Sequence, residues 1–112
     1  MAVHRELGPG FLESAYGDAL EIEFEERNIP FEREKLINIF YKGKPIKTYY
    51  KADFVCYGSL IVELKTVDTL ADIHRAQLIH YLKATRTNKG LLINFKSKSL
   101  QYERFVNREN DL

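Results

Sequence analysis

Two carboxylates and a lysine break the apolar pattern in the middle of the chain. In Leu60-Ile61-Val62-Glu63-Leu64-Lys65, strand alternation puts Ile61, Glu63 and Lys65 on one face and Leu60, Val62 and Leu64 on the other. Glu63 is then a carboxylate in an otherwise apolar strand. Burying a carboxylate without a partner is costly. Either Glu63 pairs with Lys65 on a half-exposed sheet face, or it holds a cation beside a cationic catalytic group. The preceding segment supplies a second acid. A three-residue loop Tyr57-Gly58-Ser59, with Gly58 at positive φ, pairs Cys56 with Leu60 and sets Asp53 opposite Glu63 on the same face. Opposed like charges destabilise a sheet unless a cation lies between them. A two-residue loop would oppose Asp53 to Leu64 instead, so the pairing hangs on the turn.

Two carboxylates bridged by a cation, with a lysine nearby, suit Mg²⁺- or Mn²⁺-assisted phosphodiester hydrolysis. Mg²⁺ takes oxygen ligands, keeps several waters, and is held by one or two carboxylates plus substrate phosphate. It lowers the pKa of a bound water and neutralises charge developing on the phosphate. Lys65 could orient that water or stabilise the oxyanion. Two further groups could join. Glu13 shares a helical stripe with Tyr16, Leu20 and Phe24, at the N-terminal end of an apolar face. The plainer reading of Glu13 is a carboxylate favoured by the helix dipole. Gln77 and Tyr81, four apart, point the same way from a second helix and could donate hydrogen bonds to a phosphate backbone. A Tyr beside a polar residue is also ordinary at a core boundary.

These residues need a scaffold, and the chain's periodicity supplies one. Gly8-Pro9-Gly10 is a breaker. The segment from Phe11 to Arg27 then reads as a helix, with Leu12, Ala15, Tyr16, Ala19, Leu20 and Phe24 on one face and Asp18, Glu21, Glu25 and Glu26 opposite. Asn28-Ile29-Pro30 stops it. Strands are expected over Phe31 to Tyr41, Lys47 to Tyr57 and Leu60 to Lys65, with a turn at Lys42-Gly43-Lys44-Pro45. Helical spacing returns from Thr69 to Ala84. Strands from Leu91 to Phe95 and from Leu100 to Val106 close the chain. The order predicts an α/β fold, a mixed sheet flanked by helices, in a single domain over residues 1–112.

Composition narrows the function classes. The 112 residues are 45% hydrophobic and 29% charged, which suits one globular domain and no long disordered tail. Apolar runs such as Leu91-Leu92-Ile93 are far too short for a membrane span, and no export signal is visible. The single Cys56 reads as a small buried hydrophobe, so a cytoplasmic protein without membrane attachment is expected. The formal charge of +1 hides a split. Residues 1–34 hold three basic and nine acidic side chains, net −6; residues 35–112 hold fourteen and seven, net +7. Lys42, Lys44, Lys47, Lys51, Lys65, Lys83, Arg86, Lys89, Lys96 and Lys98 belong to the basic part. Such a split marks a polyanion-binding face, or an acidic helix beside a Lys-rich sheet edge. No Cys/His set has zinc spacing, with His74 and His80 six apart. No phosphate-binding Gly-rich loop exists, and Ser14, Ser59, Ser97 and Ser99 lack a nucleophile-elbow context. Asp68 and Asp72 read as cap or dipole residues.

Gly10-Phe11-Leu12-Glu13-Ser14-Ala15-Tyr16, preceded by His4-Arg5-Glu6-Leu7-Gly8-Pro9, resembles the motif of the GxxExxY protein family, a branch of the PD-(D/E)XK nuclease-like superfamily. Lys51-Ala52-Asp53 and Glu63-Leu64-Lys65 are similar to the superfamily's second-strand Asp and its E-x-K. Gln77-Leu78-Ile79-His80-Tyr81 looks like the Q-x-x-x-Y motif of its exonuclease-like branch, and Gly90 to Phe95 like its following core strand. The resemblance runs from His4 to about Asn107 with the motifs in family order. It implies a restriction-endonuclease-like αβββαβ core. It also implies Asp53, Glu63 and Glu13 as metal-binding acids, with the Leu64 carbonyl adding an oxygen. Lys65 would be the catalytic lysine beside Asp53 and Glu63, and Gln77 and Tyr81 would steady the substrate. Ala52 replaces the motif's proline, which leaves the carboxylate chemistry intact. Family members carry a longer helix before the His4-Arg5 segment, so a truncated N-terminal helix is expected here.

The expected function is a Mg²⁺- or Mn²⁺-dependent nuclease acting on DNA. The alternative is a non-catalytic module on the same fold that binds nucleic acid or protein. So short a chain has little material for a substrate clamp, and a homo-oligomer is compatible with either.

Overall fold

In the computed structural model, residues 2–96 and 100–107 are described. Ser97, Lys98 and Ser99 lie outside them. The elements are α1 (Ala2–Leu7), α2 (Glu13–Glu26), β1 (Phe31–Tyr41), β2 (Lys44–Cys56), β3 (Leu60–Lys65), α3 (Asp72–Thr85), β4 (Lys89–Asn94) and β5 (Gln101–Val106). The strands form one five-stranded sheet in the order β1-β2-β3-β4-β5. Only β3 and β4 run parallel; the other neighbours are antiparallel. A parallel pair needs a crossover, and α3 is that crossover. The expected mixed sheet flanked by helices is what forms.

Each helix covers one face. Tyr16 and Leu20 of α2 pack with Phe54, Cys56, Val62, Leu64, Ile93 and Phe95. Leu78 and Leu82 of α3 pack with Tyr50, Ala52, Val55, Ile61 and Leu92 on the other side. The alternation expected in β3 holds, with Ile61 turned to α3 and Val62 and Leu64 to α2. Cys56 is buried, as a small hydrophobe would be, and burial pushes its thiol up to about 11. Stacking of Tyr16 on Phe95, with centroids 4.5 Å apart, and an edge contact of Phe24 on Phe54 knit α2 to the sheet.

Several boundaries move for local reasons. Helix α2 begins at Glu13 rather than Phe11, because Leu12 is extended (φ −68, ψ 153). It ends where Asn28 takes φ 55 and the Ile29 N–H donates back to the Phe24 carbonyl at 2.9 Å. The first hairpin turns on Lys42 and Gly43 alone, both at positive φ, so Lys44 and Pro45 belong to β2. Helix α3 starts at Asp72, where the Ala71 N–H donates to His74 Nδ1 at 2.9 Å. Asp72 begins the helix and pairs with Arg75, whereas Asp68 is no cap and pairs instead with Lys96 at 2.9 Å. The acidic face of α2 is not simply solvated. Asp18 pairs with Arg33 of β1 at 2.6 Å, and Gly17 leaves room for it, since a Cβ there would meet Arg33 Nη2 at 2.6 Å.

The short α1 packs on α2, and the Gly8-Pro9-Gly10 loop is tied down by Tyr16. Its hydroxyl donates to the Gly8 carbonyl at 2.5 Å and accepts the Phe11 N–H at 3.2 Å. Within the motif that drew attention in the sequence, this tyrosine is therefore a buried latch.

Candidate active site

The β2–β3 hairpin settles the register. Cys56 pairs with Leu60, Val55 with Ile61 and Phe54 with Val62, as the three-residue loop requires. Gly58 has φ 71, and Tyr57 also takes positive φ (55). The ladder stops at Phe54 and Val62, one step short of Asp53 and Glu63. From there side chains replace backbone bonds. The Leu64 N–H donates to Asp53 Oδ2 at 2.8 Å, and the Asp53 N–H points to Glu63 Oε1 at 3.4 Å. Each acid thus satisfies a main-chain donor on the opposite strand, across the gap where β2 leaves β3.

The same-face expectation needs correction at Asp53. Tyr50, Ala52 and Val55 all face α3, so the alternation of β2 slips between Ala52 and Val55. Opposite this slip, Glu34 in β1 takes φ 52, and the β1–β2 pairing skips the Glu34–Asp53 position. Asp53 consequently lines a small cavity of about 160 Å³ beside α2, with Glu13, Ser14, Gly17, Arg33, Glu34, Phe54 and Leu64. Glu63 and Lys65 line a cavity of about 260 Å³ on the α3 side, with Gln77, Tyr81, His74 and the β2 residues Tyr49, Tyr50 and Lys51.

The two cavities are electrically one site. Burial pushes the Glu63 carboxyl up to about 7, with Glu13 adding to the rise, while the Asp53 N–H and Lys65 oppose it. Asp53 is also raised, chiefly by burial and further by Glu34, against the Leu64 N–H, Lys65 and Arg33. Glu13, in the first turn of α2, is raised by partial burial and by Asp53, again against Lys65. No ion pair joins Glu63 to Lys65 among the described residues, which disfavours the plain ion-pair reading of the strand. Lys65 is instead the positive charge common to all three acids.

Gln77 is exposed on α3 at the cavity rim. Tyr81 is half-buried, and its ring stacks on Tyr50 with centroids 4.0 Å apart. Tyr50 is the residue that sequence reasoning missed. Its hydroxyl donates to Glu63 Oε1, so Tyr81 holds Tyr50 and Tyr50 holds Glu63. Regular alternation counted back from the Cys56–Leu60 pair hides this contact, because it puts Asp53, and not Tyr50, on the face of Glu63. The slip at Asp53 turns Tyr50 to that face instead.

Three raised carboxylates without ion-pair partners fit a hard cation taking oxygen ligands. Among the described residues, however, no three His, Cys, Asp or Glu side chains are already gathered into a metal-holding group. Asp53 and Glu13 line one cavity and Glu63 lines the other.

The model of the family described as the PD-(D/E)XK nuclease superfamily matches residues 1–105. The chain belongs to that superfamily. Its α-β-β-β-α-β order from α2 to β4, in a mixed sheet, is the restriction-endonuclease-like core. Among solved structures, the crystal structure of SSO0001 is similar, at 26% identity and a TM-score of 0.56, over 84% of this chain and 52% of that one. The chain thus spans about half the length of that protein. A search of curated proteins gave no match. Superfamily nucleases generally use divalent metals. No helix among the described residues is long and apolar enough to cross a membrane.

Proposed function

We propose that this member of the superfamily is a Mg²⁺- or Mn²⁺-dependent nuclease that hydrolyses phosphodiester bonds in DNA, of the GxxExxY type. One observation carries the reading. Two half-buried acids, Asp53 and Glu63, meet at a strand junction with Lys65 as their shared positive charge, and partial burial raises both. Main-chain donors can be satisfied there without two charges facing each other, so a bound cation is the reason to keep both acids.

Asp53 and Glu63 would hold the ion, with the Leu64 carbonyl and Glu13 completing its shell directly or through water. Bound there, it would acidify a water and neutralise charge on the scissile phosphate. Lys65 would orient that water or stabilise the developing oxyanion. Gln77, at the rim, would donate to the phosphate backbone. Tyr50 keeps Glu63 in place, and Tyr81, stacked beneath it, acts through Tyr50 as well as at the substrate. Nucleic acid is the partner, and a second copy of the chain could complete the substrate clamp. The cytoplasm is the proposed compartment.

One observation favours a second reading. The absence of a gathered three-ligand group among the described residues suits a non-catalytic module that binds nucleic acid or protein on this fold. Calorimetric titration of Mn²⁺ into wild type, Asp53→Asn and Glu63→Gln, with plasmid and single-strand nicking assays on the same samples, separates the two. Both substitutions keep the hydrogen-bond acceptors at the junction. Binding and cleavage present in wild type and lost in both variants are the nuclease result; a folded wild type that takes up no Mn²⁺ and cleaves nothing overturns it.

A further inference from the structure

Part of the basic stretch of the sequence has a defined shape. No acidic residue occurs between Glu34 and Asp53, while Lys42, Lys44, Lys47 and Lys51 fall in that stretch. These residues build the outer part of the β1–β2 hairpin. Lys44 to Tyr49 are exposed without interruption, so both faces of β2 meet water there. That pattern belongs to an arm standing clear of the core. No ion pair engages any of the four lysines among the described residues.

The end of α3 adds a fifth charge. Arg86 takes φ 57 at the helix C-cap, and its guanidinium lies 4.8 Å from the centroid of Phe40 in β1. Its Nη2 lies 3.6 Å from where a Cβ on Gly43 would stand, so the charge reaches the hairpin turn. At the inner end the arm runs into the cleft. Tyr49 and Lys51 line the cavity that contains Glu63 and Lys65, and Lys47 stands next along the strand where its pairing with β1 is irregular. Tyr41, whose ring lies under Lys42 Nζ at 5.4 Å, and Tyr49 interleave with the lysines, and Tyr49, 53% exposed, offers a ring to an unpaired base.

We propose that the β1–β2 arm is a grip for a phosphodiester backbone, leading a nucleic-acid strand from the hairpin turn along Lys44, Lys47 and Lys51 into the cleft. This rests on the nuclease reading only for the identity of the polyanion. A partner of mixed charge would leave the run of lysines unanswered; a continuous phosphate chain matches it along its whole length. Single strands and duplexes share that backbone, and the two differ in whether Tyr49 has a base to stack on.

The test is fluorescence anisotropy in EDTA, with a labelled 20-mer single strand and its duplex, at several salt concentrations. The proteins are wild type, the triple variant Lys42→Ala/Lys44→Ala/Lys47→Ala, the matching Lys→Arg triple and Tyr49→Ala. Three lost phosphate contacts should lower the slope of log affinity against log salt by about 2 for the single strand, or about 2.7 for the duplex. The Lys→Arg triple should keep it. Tyr49→Ala should weaken single-strand binding about tenfold and leave duplex binding unchanged. An unchanged slope in the Lys→Ala triple, or a wild type that binds neither probe, overturns the arm. Cleavage by wild type and by the triple with equal affinity for DNA sinks the arm and leaves the nuclease standing. Arm-dependent binding with no cleavage and no Mn²⁺ uptake does the reverse.

Discussion

Glu63→Gln should make the metal-free protein more stable while removing its proposed activity, and the size of the gain follows from the site. Glu63 titrates near an ordinary 4.5 in the unfolded chain and at about 7 when folded. Between those values the native state binds the proton that the unfolded state has released, so stability falls as pH rises through this window and levels off above it. The full displacement corresponds to about 3.4 kcal/mol, and the part falling between pH 5 and pH 8 is about 2.5 kcal/mol. A glutamine keeps an oxygen for the Tyr50 hydroxyl and the Asp53 N–H but has nothing to ionise. Urea unfolding of wild type and Glu63→Gln in EDTA, at both pH values, measures the difference. The variant should gain about 2.5 kcal/mol on wild type between pH 5 and pH 8. Saturating Mn²⁺ should rescue wild type at pH 8 and not the variant, because an ion bound only to the native state stabilises it. Parallel pH dependence for the two proteins would show Glu63 ionising as freely as a surface glutamate, and the burial argument would be wrong.

Other outcomes follow from packing and hydrogen bonding. Tyr16→Phe removes the hydroxyl between the Gly8 carbonyl and the Phe11 N–H. It should cost about 1–2 kcal/mol, with faster amide exchange at Phe11 and an intact β-sheet signal. Asn94→Ala should be severe. The buried amide accepts the Val67 and Lys96 N–H groups and donates to the Val67 carbonyl and to Gln101, so a loss of about 3 kcal/mol or more is expected in denaturant unfolding. Gly90→Ala should cost about 1–3 kcal/mol in thermal unfolding, since its Cβ would stand 3.1 Å from Leu78 in the α3 face of the core.

Much of the scaffold was readable in the residues. Alternation in β3 divides Ile61 from Val62 and Leu64, and each goes to its own helix. The Tyr57-Gly58-Ser59 loop fixes a register that follows from counting, and counting was enough to bring Asp53 beside Glu63. The faces of Asp53 and Tyr50 were not readable. Period-two alternation assumes an unbroken strand, and the break here is a left-handed residue at Glu34 on a different strand. A glutamate gives no local signal for positive φ, as a glycine would. Nor did the sequence reveal that Asp18, on the exposed face of α2, is held by an arginine. Its partner Arg33 lies fifteen positions away, in a different element. Local patterns carry local structure; the chemistry of this site depends on contacts between elements that no spacing encodes.

The outer arm of β2 has a consequence for handling the protein. Strand β3 pairs only with residues 54–56, so from Lys44 to Asp53 one edge of β2 has no strand beside it among the described residues. An unpaired edge of this length is a template for another chain's strand, and Ile46 and Tyr49 give it apolar surface. Pro45 and the lysines at 44, 47 and 51 are the kind of residues that keep such edges apart. The arm's charges therefore act as a guard against fibrillar or sheet-extended aggregates. Concentrated salt, which screens them, should favour self-association of this chain over its solubility.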